Sequence, residues 1–323
     1  MVTETHLPTS KHFRLEKLTE GVYAALAIDG GGAMCNAGIV DLGDRALVFD
    51  TFWTPEASQD LLTAAEQLTG HAVVYIVNSH YNADHVNGNQ VFAPATTIIS
   101  TSRTRELLIE RGNGFLNWAR EHLAEEVHED EKKLAAETNE DRRKPMALDL
   151  ETTRALLHAL PTLELRLPNF TFEHRLDLHG PARSIELRCL GGGHTESDAF
   201  LYLPQDHILF TGDLLFTQMY PSMWHDQPET WISILARMEE LKTDAVVPGH
   251  GPLGTREDLT LLRQYLTWLL ETARAVIKRE GLADDLVREP LPEAYARWKA
   301  PELFEQTARA FYRILANNAS TNQ

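Results

Sequence analysis

The sequence predicts an α+β fold in which two strand-rich blocks flank a helical one. Three observations predict it. Residues 21–100 carry short runs rich in Val, Ile and Tyr, punctuated by glycine and aspartate, as short buried strands do. Residues 102–160 are rich in Glu, Arg, Lys, Ala and Leu and poor in β-branched residues, as helices are. Strand patterns return from 163 to 247, and amphipathic segments end the chain.

Segments 21–28, 36–42 and 46–52 read as a meander of three strands, turned at Gly30-Gly31-Gly32 and at Gly43-Asp44. Helical spacing starts at Pro55 and runs to 68. Thr54 is the expected N-cap, and Pro55 at the first helical position gives up only an N–H that no helical carbonyl could accept. A continuous apolar strand follows at 72–78, then a short one at 96–100. The insert 102–160 predicts two or three helices, with 125–144 as a solvated face or linker. Further strands are expected at 163–172, 175–178, 184–190, 199–203, 208–210 and 245–247, with a helix at 229–241 before the last. Thr255 and Asp258 have capping-box spacing and open a helix to about 279, whose Leu262, Leu266, Leu269, Ala273 and Val276 share one face. Helical segments at 293–298 and 302–316 close the chain. The expected organisation is an extension (1–20), a main domain (21–254) holding the insert, and C-terminal helices (255–323) packed on that domain.

Composition narrows the partners. Hydrophobic residues make up 43% of the 323, enough for a substantial core. A net charge of −17 repels phosphate backbones, so no nucleic acid is expected. Two cysteines, Cys35 and Cys189, are too few for a disulfide scaffold and read as reduced thiols. The first fourteen residues lack the apolar run of a secretory leader, and the longest apolar stretch, 259–270, is short and broken by Arg263 and Gln264. A cytoplasmic protein acting on a small molecule, away from membranes, is the expectation. Composition specifies no oligomeric state.

Chemistry concentrates at four strand ends. Ser79-His80-Tyr81-Asn82-Ala83-Asp84-His85 follows a buried strand and offers imidazoles and a carboxylate within six residues, a donor set suited to zinc, iron or manganese. Gly191-Gly192-Gly193-His194-Thr195 places a second histidine where only small residues let the backbone pass. Thr211-Gly212-Asp213 puts a carboxylate at the end of a strand, and Pro248-Gly249-His250-Gly251 a histidine in another tight turn.

These motifs, in this order over about 21–254, resemble the metallo-β-lactamase superfamily. Its first motif, His-x-His-x-Asp-His, reads here His80, Asn82, Asp84 and His85; the Gly-His-Thr motif falls on Gly193, His194 and Thr195, the bridging aspartate on Asp213, and the late Gly-His on Gly249 and His250. The stretch Val48-Phe49-Asp50-Thr51 and the run Pro168 to Phe172 are also similar. The resemblance implies an αββα sandwich with a helical insert and extra C-terminal helices. It also implies two metal sites. One takes His80, the residue at 82, His194 and a shared Asp213; the other takes Asp84, His85, His250 and the same Asp213. Asn82 stands where the family has its second histidine, and its neutral amide oxygen is a poorer zinc ligand than imidazole.

The implied activity is metal-dependent hydrolysis of an ester, thioester, lactone or amide, with the metal lowering the pKa of its water from about 15.7 to about 7. Asp84 would be the catalytic residue, orienting the nucleophile. Zinc, one or two ions, is the expected cofactor, with iron(II) or manganese as alternatives. Two other readings are a mononuclear iron oxidoreductase, similar to sulfur dioxygenases and using His80, His194 and Asp213, and a binding protein with a degraded site. Asp50 is expected to hold a ligand imidazole by its other N–H. Tyr220 and His225 are the residues expected to face substrate.

Overall fold

The computed structural model describes residues 7–225 and 227–321, so the first six residues of the expected extension, and Asp226, lie outside the described residues. By internal packing the chain forms two compact units, Met1–Leu187 and Arg188–Gln323.

The first unit is built on a seven-stranded sheet in sequential order: β1 (Phe13–Thr19), β2 (Val22–Ala27), β3 (Ala37–Asp41), β4 (Ala46–Phe49), β5 (Val73–Val77), β6 (Thr97–Thr101) and β7 (Phe170–Phe172). β1 through β4 are antiparallel neighbours; from β4 onward the pairs are parallel. The change comes where helix α1 (Pro55–Thr69) carries the chain from β4 to β5, because parallel neighbours need a crossover. Ala57, Leu61, Ala64 and Ala65 of α1 join Ile39, Val48 and Ile76 of the sheet in one core. Strand ends therefore gather at one edge of this sheet, where the chain leaves β4 at Asp50 and β5 at Asn78.

β1 lies within the segment expected to be an extension. Its alternation buries Phe13 and Leu15 and pairs it with β2. The expected strand 163–172 shrinks to β7. Pro168 has no N–H to give a ladder, and the Arg166 guanidinium is spent on the carbonyls of Phe92 (2.7 Å) and Ala93 (3.0 Å), which holds this segment over the 87–96 turn instead. The insert folds as α3 (Ser102–Leu107), a single wide π-type turn at Leu108–Gly112, α4 (Asn113–Ala136) and α5 (Glu140–Ala159). α4, α5 and the turn that follows α5 share a small core of Leu116, Leu123, Leu156 and Leu160, while the charged tract at 125–144 is mostly solvated. Strand β8 (Arg175–His179) follows, and the chain crosses into the second unit within β9 (Ser184–Cys189).

In the second unit β10 (Ala199–Leu203) pairs antiparallel with β11 (Ile208–Phe210), and β11 pairs parallel with β12 (Ala245–Val247). Between β11 and β12 lies α6 (Pro228–Glu239). The capping box of Thr255 and Asp258 opens α7 (Arg256–Lys278) as the sequence predicts. Leu262, Leu266, Leu269, Ala273 and Val276 are fully buried, in one cluster with Trp231, Leu235 and Phe200. The C-terminal helices thus share a core with β10–β12.

The segment 293–298 is a series of tight turns and not the expected helix: its backbone bonds run from residue i+3 to i, Tyr295 to Pro292 and Trp298 to Tyr295, both at 3.0 Å. Lys299 N–H bonds Gln218 O at 2.9 Å, pulling the chain out of helical register while Tyr295 and Trp298 pack on Tyr265. A five-residue helix, α8 (Ala283–Val287), precedes it and is too short for periodicity to reveal; α9 (Pro301–Thr321) ends the described chain. Among the described residues no helix is long and apolar enough to cross a membrane.

The N-cap of α1 is the joint that sets the exit of β4. Thr54 Oγ1 accepts from Ala57 N–H at 3.3 Å and donates to Gly32 O at 2.9 Å, with the side chain buried. Thr54→Ala should cost about 1–2 kcal/mol, read as a lowered urea midpoint with unchanged slope, and Thr54→Ser should restore most of it.

Candidate metal centre

In the first unit one carboxylate, that of Asp50, holds the His80–His85 turn. Asp50 follows β4 with a φ of 60°, in the left-handed region that a non-glycine residue occupies only when its surroundings enforce it. The enforcement is visible. Its N–H bonds Val77 O at 2.8 Å, while Oδ1 accepts from Ser79 N–H at 2.8 Å. Oδ2 accepts from Ser79 Oγ at 2.8 Å and stands 2.8 Å from His85 Nδ1. Complete burial raises the Asp50 carboxyl from its ordinary pKa, and the contacts with His85 and Ser79 work in the opposite direction.

These bonds assign the tautomers. A carboxylate can only accept, so His85 carries its proton on Nδ1. The Ser79 hydroxyl gives its proton to Asp50, so at 2.9 Å it accepts from His80 Nδ1–H. In the neutral rings, Nε2 of both histidines then presents a lone pair. His85 Nε2 stands 3.3 Å from Asp84 Oδ2, and the His80 and His85 rings lie 4.2 Å apart between centroids. The turn is pinned from behind: Thr51 N–H (3.0 Å) and Asn78 Nδ2 (3.2 Å) both donate to His85 O, and Asn78 and Asn89 bond each other through their side-chain amides. Asn82 caps the short helix α2 (Ala83–Val86), its carbonyl accepting from His85 N–H at 3.0 Å, and is half-buried.

Within the second unit, His194 and His250 stand on either side of Asp213. His194 sits in a loop that closes on Asp198, whose carboxylate accepts from Gly193 N–H (2.8 Å), Thr195 N–H (3.0 Å) and Thr195 Oγ1 (2.7 Å). Burial pushes the Asp198 carboxyl up, while His194 and these donors pull it down. His194 Nδ1 is 2.9 Å from Ser222 O, a carbonyl that only accepts, so this imidazole too carries its proton on Nδ1. Its Nε2 is 3.3 Å from Asp213 Oδ2, and His250 Nε2 is 3.3 Å from Asp213 Oδ1. Phe216 stacks on the His250 ring at 5.2 Å and 11°. Asp213 lies in the tight turn Gly212–Leu214 after β11, and a Cβ on Gly249 would come within 2.0 Å of its Oδ1. Glycine at 249 is therefore a space requirement of the carboxylate.

A divalent metal fits these donors. A lone pair on Nε2 facing a carboxylate oxygen is repulsive unless a cation lies against both. Ligands about 2.0–2.1 Å from a tetrahedral zinc stand roughly 3.3–3.4 Å apart, and the imidazole–carboxylate pairs of each unit stand at 3.3 Å. Cys35 adds a soft donor that the sequence reading missed: its Sγ, an Asp84 oxygen and a His85 nitrogen all lie within 4.8 Å of one another. In its present pose the thiol donates to Asp84 O at 2.9 Å, and burial pushes its pKa up to about 12. It packs as a neutral thiol.

The remaining expected site residues divide. His225 lines an open cavity of the second unit. Tyr220, expected at substrate, lies inside the aromatic core instead: it is 2% exposed, donates its hydroxyl to Tyr295 O at 2.8 Å, and packs on Tyr265, Trp298 and Phe304. That is the environment of a core tyrosine, and its surroundings lend no support to a substrate role. Asp198 was legible in outline, since a carboxylate three residues after Thr195 is the spacing of a side chain that closes its own loop.

Comparison with known proteins agrees with this architecture. The chain matches the sequence profile described as "Metallo-beta-lactamase superfamily" over residues 30–250, and it belongs to that superfamily. Among curated proteins it is 24% identical over 279 residues to the 2,4-dinitroanisole O-demethylase subunit alpha of Nocardioides sp. (strain JS1661), covering 84% of this chain and 66% of that one. Among solved structures it resembles the stereoselective inverting sec-alkylsulfatase Pisa1 from Pseudomonas sp., with a TM-score of 0.69, 18% identity, and coverage of 93% of this chain and 50% of that one. It also resembles a metallo-beta-lactamase from Pontibacter korlensis, with a TM-score of 0.57, 19% identity, and coverage of 79% and 99%. The chain thus spans 66% of the length of the demethylase subunit and half that of the alkylsulfatase. The fold is the superfamily's, with a helical insert and extra C-terminal helices, and that fold implies a divalent metal.

Two variants test the roles assigned here. In Asp50→Asn the amide cannot accept from both Ser79 N–H and His85 Nδ1–H, so metal affinity should fall by roughly 10–100-fold, measured by chelator competition, with circular dichroism unchanged. Gly249→Ala should displace Asp213 and lower bound metal per chain, whereas Gly70→Ala, where a Cβ meets nothing within 4 Å, should leave metal content unaltered.

Proposed function

We propose that this protein is a metal-dependent hydrolase of a small-molecule ester, thioester, lactone or amide. The observation that carries the reading is Asp213: each of its oxygens stands 3.3 Å from the Nε2 of a different histidine, as a carboxylate bridging two ions would. In this proposal His80, Asn82 and His194 hold one ion, Asp84, His85 and His250 the other, and Asp213 is shared. When bound, the metal supplies a Lewis acid for the scissile carbonyl and acidifies its water to a pKa near about 7.

The chain's own residues do the rest. Asp84, the catalytic residue, holds the nucleophilic water by one carboxylate oxygen and fixes its direction of attack. Asp50 keeps His85 and, through Ser79, His80 in the tautomer that binds metal. Ser222 does the same for His194. Zinc is the proposed metal, because neutral imidazoles and carboxylates at these spacings suit it. The relatives named as an O-demethylase subunit and an alkylsulfatase support extending the substrate class to compounds that lose a group from oxygen. The two buried thiols, Cys35 and Cys189, support a reducing, cytoplasmic setting.

Elemental analysis of protein purified without chelator or added metal should find zinc, up to two ions per chain. A single iron with oxygen uptake on a thiol or persulfide would replace hydrolysis with oxidation. His85→Ala and His250→Ala should each lower hydrolysis of a panel of 4-nitrophenyl esters and thioesters by more than about 100-fold, beyond what loss of a ligand's supporting partner costs. Full activity in both would overturn the assignment. Asn82→His should raise metal occupancy when the ion is limiting.

A further inference from the structure

A cavity of about 580 Å³ opens in the second unit between the 222–225 loop and α9, lined by Glu196, Met223, Trp224, His225, Arg313 and Ile314 among others. That volume is in the range of small-molecule sites. The loop that walls it is hydrogen-bonded to His194. Ser222 O takes the Nδ1 proton of that histidine, and Trp224 N–H donates to its carbonyl at 2.8 Å, so the loop that fixes the ligand also walls the cavity. Trp224 is 62% exposed on this bonded loop, an indole face held in water beside Met223 and Ile314. Such a ring is a platform for an apolar or aromatic group.

The charged groups differ in their engagement. Glu196 and His225 already have interactions of their own. Arg309, one turn earlier on α9, pairs with Asp284 at 2.6 Å. Arg313 has no ion pair or side-chain hydrogen bond among the described residues. A guanidinium presents a planar fork that matches carboxylate and sulfonate oxygens two at a time. In a chain of net charge −17 a general attraction for anions is absent, so a site for one must be local.

We propose that this cavity is the specificity site for an amphiphilic anionic substrate, whose carboxylate or sulfur oxyanion pairs with Arg313 while its apolar part lies on Trp224. This deepens the hydrolase reading and rests on it: the scissile group would lie toward His194 and the anionic group toward α9.

Isothermal titration of the metal-loaded protein tests it with three probes, 4-nitrobenzoate, 4-nitrobenzenesulfonate and neutral 4-nitrobenzamide. The two anions should bind, and Arg313→Gln should weaken them about tenfold, the size of one charged hydrogen-bonded pair. Arg313→Lys should recover part of this loss, 4-nitrobenzamide should be indifferent to both changes, and Trp224→Ala should weaken all three probes. The ratio of the two anion affinities separates a carboxylate from a sulfur oxyanion as the natural group. Unchanged anion affinity in Arg313→Gln, which includes binding directly to the metal, would overturn the proposal, as would no anion binding by the parent protein. Hydrolysis of neutral 4-nitrophenyl acetate by the parent protein is followed alongside. Its absence would count against the hydrolase reading while the titration still decides on Arg313.

Discussion

The buried carboxylate of Asp50 is the constraint on which the first half of the metal centre depends. It ties the exits of two neighbouring strands together, because its backbone bonds Val77 while its side chain bonds Ser79 and His85. A fully buried carboxylate with these partners would be expensive if any were removed. The left-handed backbone of Asp50 belongs to the same bargain: the bonds hold the residue where a strand would not leave it. Its consequence is chemical. Two imidazoles, one in direct contact and one through a hydroxyl, are left with Nε2 as their only basic atom.

The second unit reaches the same end by different means. Asp198 draws the glycine loop around His194, and a backbone carbonyl takes the place that a carboxylate holds for His85. The ring environment also differs. Phe216 and Trp231 flank His194, and Phe216 stacks on His250, so apolar packing adds to hydrogen bonding in limiting ring rotation. Close approach requires glycine at position 249, against the Asp213 carboxylate. Neither half is a loose cluster of polar residues on a surface: His80, His85, His194 and Asp213 are all buried, and each of the three imidazoles is held by a hydrogen bond at Nδ1. Preorganisation of this kind lets binding energy go to the metal and not to ordering the ligands.

Much of this was legible in the chain, for identifiable reasons. The strands 199–203, 208–210 and 245–247 were read to the residue, because continuous apolar runs between turn residues leave little choice of boundary. The capping box at Thr255 and the proline start of α1 were equally plain, since each is a local stereochemical rule. Local signals failed where distant contacts decide. Residues 163–169 carry a strand-like pattern, yet the Arg166 bonds to a turn some seventy residues earlier remove them from the sheet. Residues 293–298 have helical composition, yet Tyr295 and Trp298 are drawn into an aromatic core assembled from α7 and the 216–220 segment. Tyr220 misled for the same reason. Its place in a loop near a ligand looked like a substrate contact, and its burial depends on rings that lie 45 to 84 residues further along. Cys35 gave no signal at all, because a lone cysteine acquires meaning only from what folds against it.

Asn82 shows how far the arrangement tolerates a weak member. Its backbone does structural work whatever its side chain does, because its carbonyl accepts from His85 N–H and so starts the turn that carries Asp84 and His85. Substituting imidazole by an amide therefore changes the donor strength at one position without disturbing the partners of the other ligands. His80 keeps its tautomer through Ser79, and His194 keeps its own through Ser222. An ion bound there would lose basicity from one ligand and would retain two oriented imidazoles and the Asp213 carboxylate. Under the proposed two-ion reading, weakening confined to this one donor would leave the ion beside Asn82 the less tightly held of the two.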